Sequence, residues 1–484
     1  MSAIDYRKFY IDGAWQEPAS SATVTVTSPT TEQPIGSVPA ATTEDIDRAV
    51  AAARRAFDEP NGWGEWEPAQ RHEVLGRFAA ELDARAAETA RRVSMQNGMP
   101  IWLAENFEGG FPSVLIRYYS QMAADAPAVE ERPGMLGGTA LVSRRPIGVV
   151  GAVVPWNVPQ AITFLKLAPA LAAGCTVVLK PAEETVLDAF LMAEAAEAAG
   201  LPAGVLNVVP GGRDLGAHLV SHPQIDKVSF TGSTAAGRAI AETCGRLLRP
   251  VTLELGGKSA AIMLDDVDLA ASMENLFGVT FLNNGQICWL NTRVLAPRSR
   301  YSEIVDGLTD LAKSLTIGDP LDPETKIGPL VSARQRERVE GYIAKGKAEG
   351  ARLTTGGGRP AGLDTGFFVE PTVFADLDND ATISREEIFG PVLSVIPFED
   401  EAEALAIAND SEYGLGGSVW SSDIERAARV AAKVRSGTVG VNHYSNDPVA
   451  PFGGIKSSGM GRELGPEGLH AFQHLHTVYL PPAG

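Results

Sequence analysis

This sequence predicts an α/β protein: a parallel sheet with helices on both faces, followed by a second α/β unit. Three observations support this. Between Gly148 and Cys288, short and almost wholly apolar runs alternate with helix-like segments, the pattern of parallel strands covered on both sides. A second alternation follows as far as Ala408. The 484 residues are enough for roughly two to four domains, whose cores need no disulfide or metal staples.

Taken in order, Thr43–Phe57 and Gln70–Val93 have helical apolar spacing and good helix formers, and Gly110–Gly138 is mixed. The first alternation reads as strand Gly148–Val154, helix Gln160–Ala173 closed by Gly174, strand Thr176–Leu179, and helix Val186–Ala199 closed by Gly200. Strand Val205–Val209, a short helix at Asp214–Ser221, strand Lys227–Phe230 and helix Thr234–Leu248 come next, then strands Val251–Leu255 and Ala260–Leu264. The second alternation has helix Leu269–Phe281, strand Arg293–Ala296 and helices Ser302–Ser314 and Ala333–Glu349. Strand-like Phe367–Phe374 and Val392–Pro397 and helix Glu401–Ala408 complete it. Pro320–Pro329 and Thr354–Thr365 read as surface loops.

Composition excludes several classes. Gly (50) and Pro (32) together stay well below the low-complexity share of roughly 25–30%, and 44% hydrophobic residues argue against disorder. A net charge of −19 disfavours nucleic acid and anionic membranes as partners, since both need a basic face, but leaves room for an anion held by backbone N–H groups. Three cysteines, Cys175, Cys244 and Cys288, make no disulfide framework and point to a reducing, cytoplasmic setting. The N-terminal run from Met1 to Lys8 lacks the apolar stretch of a secretory signal. Pro146–Leu165 is uncharged and has the ~20-residue length of a bilayer span. Pro155, Asn157, Pro159 and Gln160 interrupt it, so it reads as strand, turn and helix.

Open sheets of this kind bind ligands beyond the carboxyl ends of their strands, which is where the polar candidates fall. Phe230-Thr231-Gly232-Ser233-Thr234-Ala235-Ala236-Gly237 leaves a strand and opens a helix, whose N–H groups can seat a phosphate. It is not the G-x-G-x-x-G fingerprint, has no Walker lysine, and equally suits a plain strand-to-helix turn. Lys180 and Glu183 suit ribose hydroxyls or a solvated loop. Glu254, before Gly256 and Gly257, suits a general base or a solvated turn. Cys288, in a polar turn after Asn283-Asn284-Gly285, is the best nucleophile candidate; Cys175 and Cys244 read as packed thiols.

Two patterns mimic metal sites. Asp376, Asp378, Asp380 and Glu387 match calcium-loop positions, but Ala381 stands where the loop needs Gly. His470, His474 and His476 lack the Glu of H-E-x-x-H. No metal is expected, and no G-x-S-x-G supports a serine hydrolase.

In combination and in order these segments resemble the aldehyde dehydrogenase superfamily over essentially the whole chain. The matching segments are Pro155-Trp156-Asn157-Val158-Pro159, Lys180-Pro181-Ala182-Glu183, Phe230-Thr231-Gly232-Ser233-Thr234, Glu254-Leu255-Gly256-Gly257-Lys258, Gly285-Gln286-Ile287-Cys288, Glu386-Glu387-Ile388-Phe389-Gly390-Pro391 and Pro451-Phe452-Gly453-Gly454. The resemblance implies a Rossmann-type cofactor domain, an α/β catalytic domain and a β oligomerisation arm. It implies Cys288 as nucleophile, Asn157 and the Cys288 N–H as oxyanion donors, Glu254 as the base that hydrolyses the thioester, and Lys166 and Glu463 as its proton relay. Thr231, Gly232 and Ser233 would meet the cofactor pyrophosphate, Lys180 and Glu183 the adenosine ribose, and Glu387 the nicotinamide ribose, with Phe389 near the ring. Val154, Pro155, Trp156, Gly211, Phe230, Leu255, Gly256, Gln335 and Arg338 complete the implied cofactor contacts.

A carboxylate such as Glu183 accepts from a 2′-hydroxyl and repels a phosphate, which favours NAD, with NADP the alternative. Glu254 favours hydrolysis over acyl transfer to CoA. The implied aldehyde tunnel, Val158, Ile162, Leu165, Ile287, Trp289 and His443, is mainly apolar. Leu165 stands where betaine-aldehyde enzymes are aromatic, and no Arg is present to pair a semialdehyde carboxylate. Trp289 departs from the small residues common beside the nucleophile, narrowing the tunnel or stacking on an aromatic substrate. The expectation is an NAD-dependent oxidation of an apolar or aromatic aldehyde. The alternatives are an NADP-preferring semialdehyde dehydrogenase, a thioesterase, or a non-catalytic protein on the same fold. The domain plan is 1–123 with 146–255 for the cofactor, 256–465 for catalysis, and 124–145 with 466–484 as the arm of a dimer or tetramer. The strand after His470 would pair with another subunit.

Overall fold

The computed structural model describes residues 3–482. Met1 and Ser2 of the N-terminal segment, and residues 483–484 of the expected arm, lie outside the described residues. The first large sheet has eight strands in the order Gly459–Met460, Val251–Glu254, Lys227–Thr231, Val149–Val153, Thr176–Lys180, Leu206–Val208, Phe9–Ile11 and Ala14–Gln16. The five strands from Val251–Glu254 to Leu206–Val208 run parallel, so their carboxyl ends share one edge. The second sheet has seven strands in the order Arg352–Thr355, Thr372–Ala375, Val392–Phe398, Arg293–Pro297, Ala260–Met263, Ser418–Trp420 and Gly440–Val441. All of its pairings are parallel except that of Arg352–Thr355. Small three-stranded sheets join Ile4–Asp5, Pro34–Pro39 and Thr23–Thr27, and Gln473–Leu480, Thr139–Pro146 and Val129–Pro133.

The helix Pro159–Ala173 explains much of the first unit. It is buried on every side, because helices Pro68–Ala84 and Phe111–Asp125 pack on its outer face and the sheet on its inner face. Pro159 starts it where no N–H partner is needed, and Gly174 ends it in the left-handed region (φ 97°). The uncharged run Pro146–Leu165 thus splits between a strand and this helix. Among the described residues no helix is long and apolar enough to cross a membrane.

Three expectations are corrected. The single helix over Gln70–Val93 is two, Pro68–Ala84 and Ala86–Asn97, because Arg85 leaves helical geometry (φ −108°, ψ 2°) and donates its N–H to Leu82 O. The strand at Phe367–Phe374 is confined to Thr372–Ala375, since Pro371 has no N–H to give a ladder. Pro320–Pro329 is not wholly a surface loop: Thr325 and Ile327–Pro329 are buried, with Gly328 N–H donating to Asn284 Oδ1 (2.6 Å). The strand Gly459–Met460, within the span expected to be catalytic, hydrogen-bonds to the first sheet. Gln473–Leu480 pairs along one edge with Thr139–Pro146 of its own chain, Gln473 opposite Pro146 and Leu480 opposite Thr139.

Candidate active site

Each parallel strand of the first sheet hands its next few residues to one cleft. Pro155, Trp156 and Asn157 follow Val149–Val153, Gly232 and Ser233 follow Lys227–Thr231, and Leu255 and Gly256 follow Val251–Glu254. Together with Thr231 they line one side of a cavity of about 490 Å³; Cys288, Arg334, Gln335, Arg338, Glu387 and Phe389 line the other. Ser233 caps the helix Thr234–Arg246, its hydroxyl accepting from Ala236 N–H (3.3 Å), so a helix N-terminus opens on the cavity.

Cys288 is held out by an unusual backbone. Asn283 (φ 50°), Asn284 (φ 59°) and Gly285 (φ 77°) are three consecutive left-handed residues. Asn tolerates that region, and only Gly fits the third place, where a Cβ would stand 2.1 Å from Gly390 C. The hook is tied down by its own amides: Asn284 Nδ2 donates to Gly98 O (2.9 Å) and Pro329 O (3.0 Å), and Asn283 Nδ2 to Asn157 O (2.9 Å). Burial, then the carboxylates Glu387 and Glu254, push the Cys288 thiol up; the N–H groups of Cys288 and Trp289 pull the other way.

The Asn157 side chain donates to Gln286 O (2.8 Å), which uses one of its two amide hydrogens and leaves the other. Its backbone carbonyl accepts from Asn97 Nδ2 (2.9 Å) as well as Asn283, and Asn97 Nδ2 also reaches Trp156 O (2.5 Å). Glu254 ends its strand fully buried, with no hydrogen-bond partner on either carboxylate oxygen. Burial and the neighbouring Glu463 raise it well above the usual carboxylate range, with Lys166 opposing. Lys166 Nζ donates to Thr231 Oγ1 (2.7 Å) and to Glu463 Oε1 (2.5 Å), and both side chains of that ion pair are buried. The structure thus brings Cys288, Asn157, Glu254, Lys166 and Glu463 to one region.

Of the expected cofactor contacts, Pro155, Trp156, Thr231, Gly232, Ser233, Leu255, Gly256, Gln335, Arg338, Glu387 and Phe389 line the cavity, and Val154, Lys180, Glu183, Gly211 and Phe230 do not. Lys180 Nζ bonds Gly211 O, and burial pushes it down to about 8. Glu183 faces Gly212, where a Cβ would lie 3.5 Å from its carboxylate. Val154 N–H donates to Lys180 O (3.2 Å), tying two strand ends together. Phe230, whose ring packs under Gly232, supports the turn from below. Glu387 accepts Gly257 N–H (2.9 Å), and burial pushes it up to about 7. Gln335 Nε2 donates to Phe389 O (2.7 Å), and Arg338 Nη2 to Glu387 O (2.6 Å). Phe389 (φ 64°) meets Trp156 edge-on at 5.4 Å. A helix N-terminus, the Glu387 carboxylate and the rings of Trp156 and Phe389 along one cavity fit a dinucleotide.

On the other side of Cys288, Val158, Ile162, Leu165, Ile287 and Trp289 belong to one apolar cluster with Phe452 and Leu282. His443 does not join them: its ring bonds Val441 O and lies exposed. The neighbouring Tyr444 turns in instead. It stacks on Trp289 (4.7 Å, 28°) and is bonded to Thr438 (2.5 Å). One face of Trp289 is therefore already covered. Sequence reasoning also missed Asn97, Gln286, Arg334 and Lys258. Lys258 is buried beside Glu387 without a hydrogen-bond partner on Nζ, and burial, then Arg293, pushes it down to about 7. The Gly-Gly-Lys run was the signal for Lys258; for Asn97, only its place before Gly98 at a helix end.

The calcium-like carboxylates separate. Asp376 pairs with Arg352, Asp380 with Arg385, and Glu387 joins the cleft. His470 ends a short helix, whereas His474 and His476 lie on the arm strand.

The sequence profile of the aldehyde dehydrogenase family matches residues 15–478. Geranial dehydrogenase from Castellaniella defragrans is 54% identical over 477 residues, 99% of both chains. A Mycobacterium tuberculosis aldehyde dehydrogenase complexed with NAD+ superposes with a TM-score of 0.96 at 49% identity, over 99% of each chain. An aldehyde dehydrogenase C variant from Pseudomonas syringae, complexed with NAD+ and octanal, does so with a TM-score of 0.92 at 40% identity, over 98% of this chain and 96% of that one. With this site, this fold and these matches, the chain belongs to the aldehyde dehydrogenase family.

Proposed function

We propose that this chain oxidises an apolar aldehyde to its carboxylic acid with NAD, through a thioester on Cys288. The observation that carries the reading is the meeting, at one sulfur, of a dinucleotide-shaped slot, an apolar wall and a buried carboxylate. Thr231, Gly232, Ser233 and the first turn of Thr234–Arg246 would hold the pyrophosphate, Lys180 and Glu183 the adenosine ribose, and Glu387 the nicotinamide ribose. A bound oxidised nicotinamide supplies the hydride acceptor and a positive charge beside the thiol.

Cys288 Sγ bonds the aldehyde carbon as its thiol proton passes to the neighbouring Glu254, which gives it up before the second half of the reaction. The oxygen takes up charge and meets the free Asn157 amide hydrogen and the Cys288 N–H, donors fixed before the charge appears. Once the acyl group is a thioester, the sulfur is occupied and a separate base is needed. Glu254 takes a proton from water, whose oxygen displaces the sulfur; burial and Glu463 strengthen its hold on that proton. The acid leaves as the carboxylate.

The wall of Val158, Ile162, Leu165, Ile287, Trp289 and Tyr444 favours hydrocarbon over charge, and the relatives described for geranial and octanal support the same class. The covered face of Trp289 favours a chain lying along the wall over an aromatic ring stacked between two others. The division into 1–123 with 146–255, 256–465, and 124–145 with 466–484 is proposed with the strand Gly459–Met460 moved to the cofactor unit. The chain is read as a homo-oligomer, which the exposed Met135 and Leu136 at the tip of the arm support.

The test is reduced-cofactor formation at 340 nm with aliphatic, terpenoid, aromatic and semialdehyde substrates, with NAD or NADP, beside Cys288→Ala. Reduction with NAD and apolar aldehydes, lost in the variant, is expected. Turnover confined to charged aldehydes, or no turnover with either cofactor, overturns the reading.

A further inference from the structure

Asn157 sits in the turn that leads from the strand Val149–Val153 into the helix Pro159–Ala173. The first N–H groups of a helix have no partner inside it, and here every residue from Pro159 to Ala173 is buried, so bulk water does not serve them. Elsewhere the chain answers this need locally. Ser233, Asp268, Ser332, Asp400 and Asp423 each cap their own helix with a side-chain oxygen. The cap position of this helix is Val158, whose side chain has no oxygen to offer and belongs to the apolar wall. The acceptor must therefore come from another segment.

Glu108 supplies it. Its Oε2 accepts the Gln160 N–H (2.6 Å), and the Ala161 N–H also bonds the carboxylate. Glu108 lies in Glu105–Gly110, a wide π-helical turn between the helical runs Ile101–Ala104 and Phe111–Asp125. Gly109 seats that turn against the helix Ala86–Asn97, since a Cβ there would stand 2.8 Å from Ala86 O. The Gln160 side chain donates to Asp188 Oδ2 (2.5 Å), Gln96 Nε2 donates to Asp188 Oδ1, and Gln96 Oε1 accepts the Leu187 N–H (3.0 Å). Gln96 directly precedes Asn97, the donor to Trp156 O and Asn157 O. The Asn157 turn is thus gripped by its carbonyls on one side and by the N–H groups that follow it on the other.

Packing alone does not ask for this pair of acids. Glu108 and Asp188 are both buried, and Glu108 Oε1 has no hydrogen-bond partner, which is costly in a core. Burial, then the Asp188 charge, raises Glu108 well above the usual carboxylate range, with the Gln160 and Ala161 N–H groups opposing. Burial raises Asp188 to about 6, with Gln160 and Gln96 opposing. We propose that Glu108 is a positioning residue of the reaction: by capping this helix from outside, it fixes the turn that aims the Asn157 amide at the developing oxyanion and leaves position 158 free to line the wall. The proposal rests on the reading of Asn157 as an oxyanion donor. Glu108 does not line the cavity, so it acts through the turn and not on the substrate.

The test uses p-nitrophenyl acetate, an activated ester that acylates Cys288 without a dinucleotide, through a tetrahedral oxyanion like that of the aldehyde. The burst of p-nitrophenol gives the acylation rate. Glu108→Ala removes the acceptor, Glu108→Asp keeps the charge but draws the acceptor back by one methylene, and Glu108→Gln keeps an acceptor oxygen without the charge. Acylation about tenfold slower is expected in Glu108→Ala and Glu108→Asp, part of the ~10²-fold loss for a ~1 Å displacement because Asn97 still holds the turn. Glu108→Gln recovers most of the rate. In an Asn157→Ala background Glu108→Ala slows acylation no further, although it still lowers stability in urea unfolding. Equal losses with and without Asn157 overturn the positioning role, as does unchanged acylation in Glu108→Ala and Glu108→Asp, or a Glu108→Gln as slow as Glu108→Asp. Full acylation in Asn157→Ala overturns the oxyanion reading and the proposal with it. Should Glu108→Ala not fold, the contrast between Glu108→Asp and Glu108→Gln in the two backgrounds decides.

Discussion

Replacing Asn97 with Ala separates holding the site from performing its chemistry. Asn97 lies at the end of helix Ala86–Asn97, fully buried, 60 residues before the amide it supports. Its Nδ2 binds Trp156 O (2.5 Å) and Asn157 O (2.9 Å). Without it, Trp156 O loses that donor, while Asn157 O keeps Asn283 Nδ2 (2.9 Å). A part-buried carbonyl left without this donor costs about 1 kcal/mol of stability, the low end for an unpaired polar group. The catalytic effect follows from geometry. A donor displaced by about 1 Å loses ~10²-fold, and with one of the two clamps still in place about tenfold is expected, or ~1.4 kcal/mol of barrier. The assay is a double-mutant cycle on kcat with urea unfolding alongside. Asn97→Ala lowers kcat tenfold in the natural background and has little effect on it in Asn157→Ala, while its stability cost is the same in both. Equal kcat losses in the two backgrounds would refute the reasoning, since Asn97 would then not act through Asn157.

Three further predictions concern the buried ion pair, the hook before the nucleophile and the Glu387 carboxyl. Lys166→Met leaves Glu463 buried without its ion-pair partner and costs about 3–5 kcal/mol in urea unfolding, most of it recovered in Lys166→Met with Glu463→Leu; a loss under ~1 kcal/mol contradicts burial of the pair. Gly285→Ala forces a Cβ to 2.1 Å from Gly390 C at φ 77°, so the hook must shift; thermal melting drops, and the rate at which a thiol reagent labels Cys288 changes. Glu387, raised to about 7 in the folded protein, binds its proton more tightly folded than unfolded. Stability from this group is therefore present at low pH and declines between about pH 4.5 and pH 7, by at most about 3 kcal/mol. Glu387→Gln removes that decline, and a variant whose unfolding free energy falls as steeply as before would contradict it.

The large sheet was legible in the sequence because its strands are buried on both faces: Val149–Val153 and Thr176–Lys180 have no alternation to misread, and Gly174 and Gly200 punctuate the helices between them. The strand-end segments fixed the cleft for the same reason, since parallel strands deliver their next residues to one edge. What escaped depends on contacts between distant segments. Nothing local in Asn97 announces Trp156 and Asn157. The two-residue strand Gly459–Met460 carries too little pattern to declare its partner. Loop 442–450 has no period to say which ring turns inward, so His443 was chosen where Tyr444 stacks on Trp289.

The left-handed hook before Cys288 has one more consequence. Its shape comes from Asn283, Asn284 and Gly285 and from their ties to Gly98, Pro329 and Asn157, none of which involves the sulfur. The nucleophile's address is thus written in the backbone, and the side chain placed there is a passenger. Changing that side chain alone leaves the cavity and its apolar wall in register, so a variant silent at position 288 is a faithful mould for capturing an intact aldehyde and reading its chain length and branching directly.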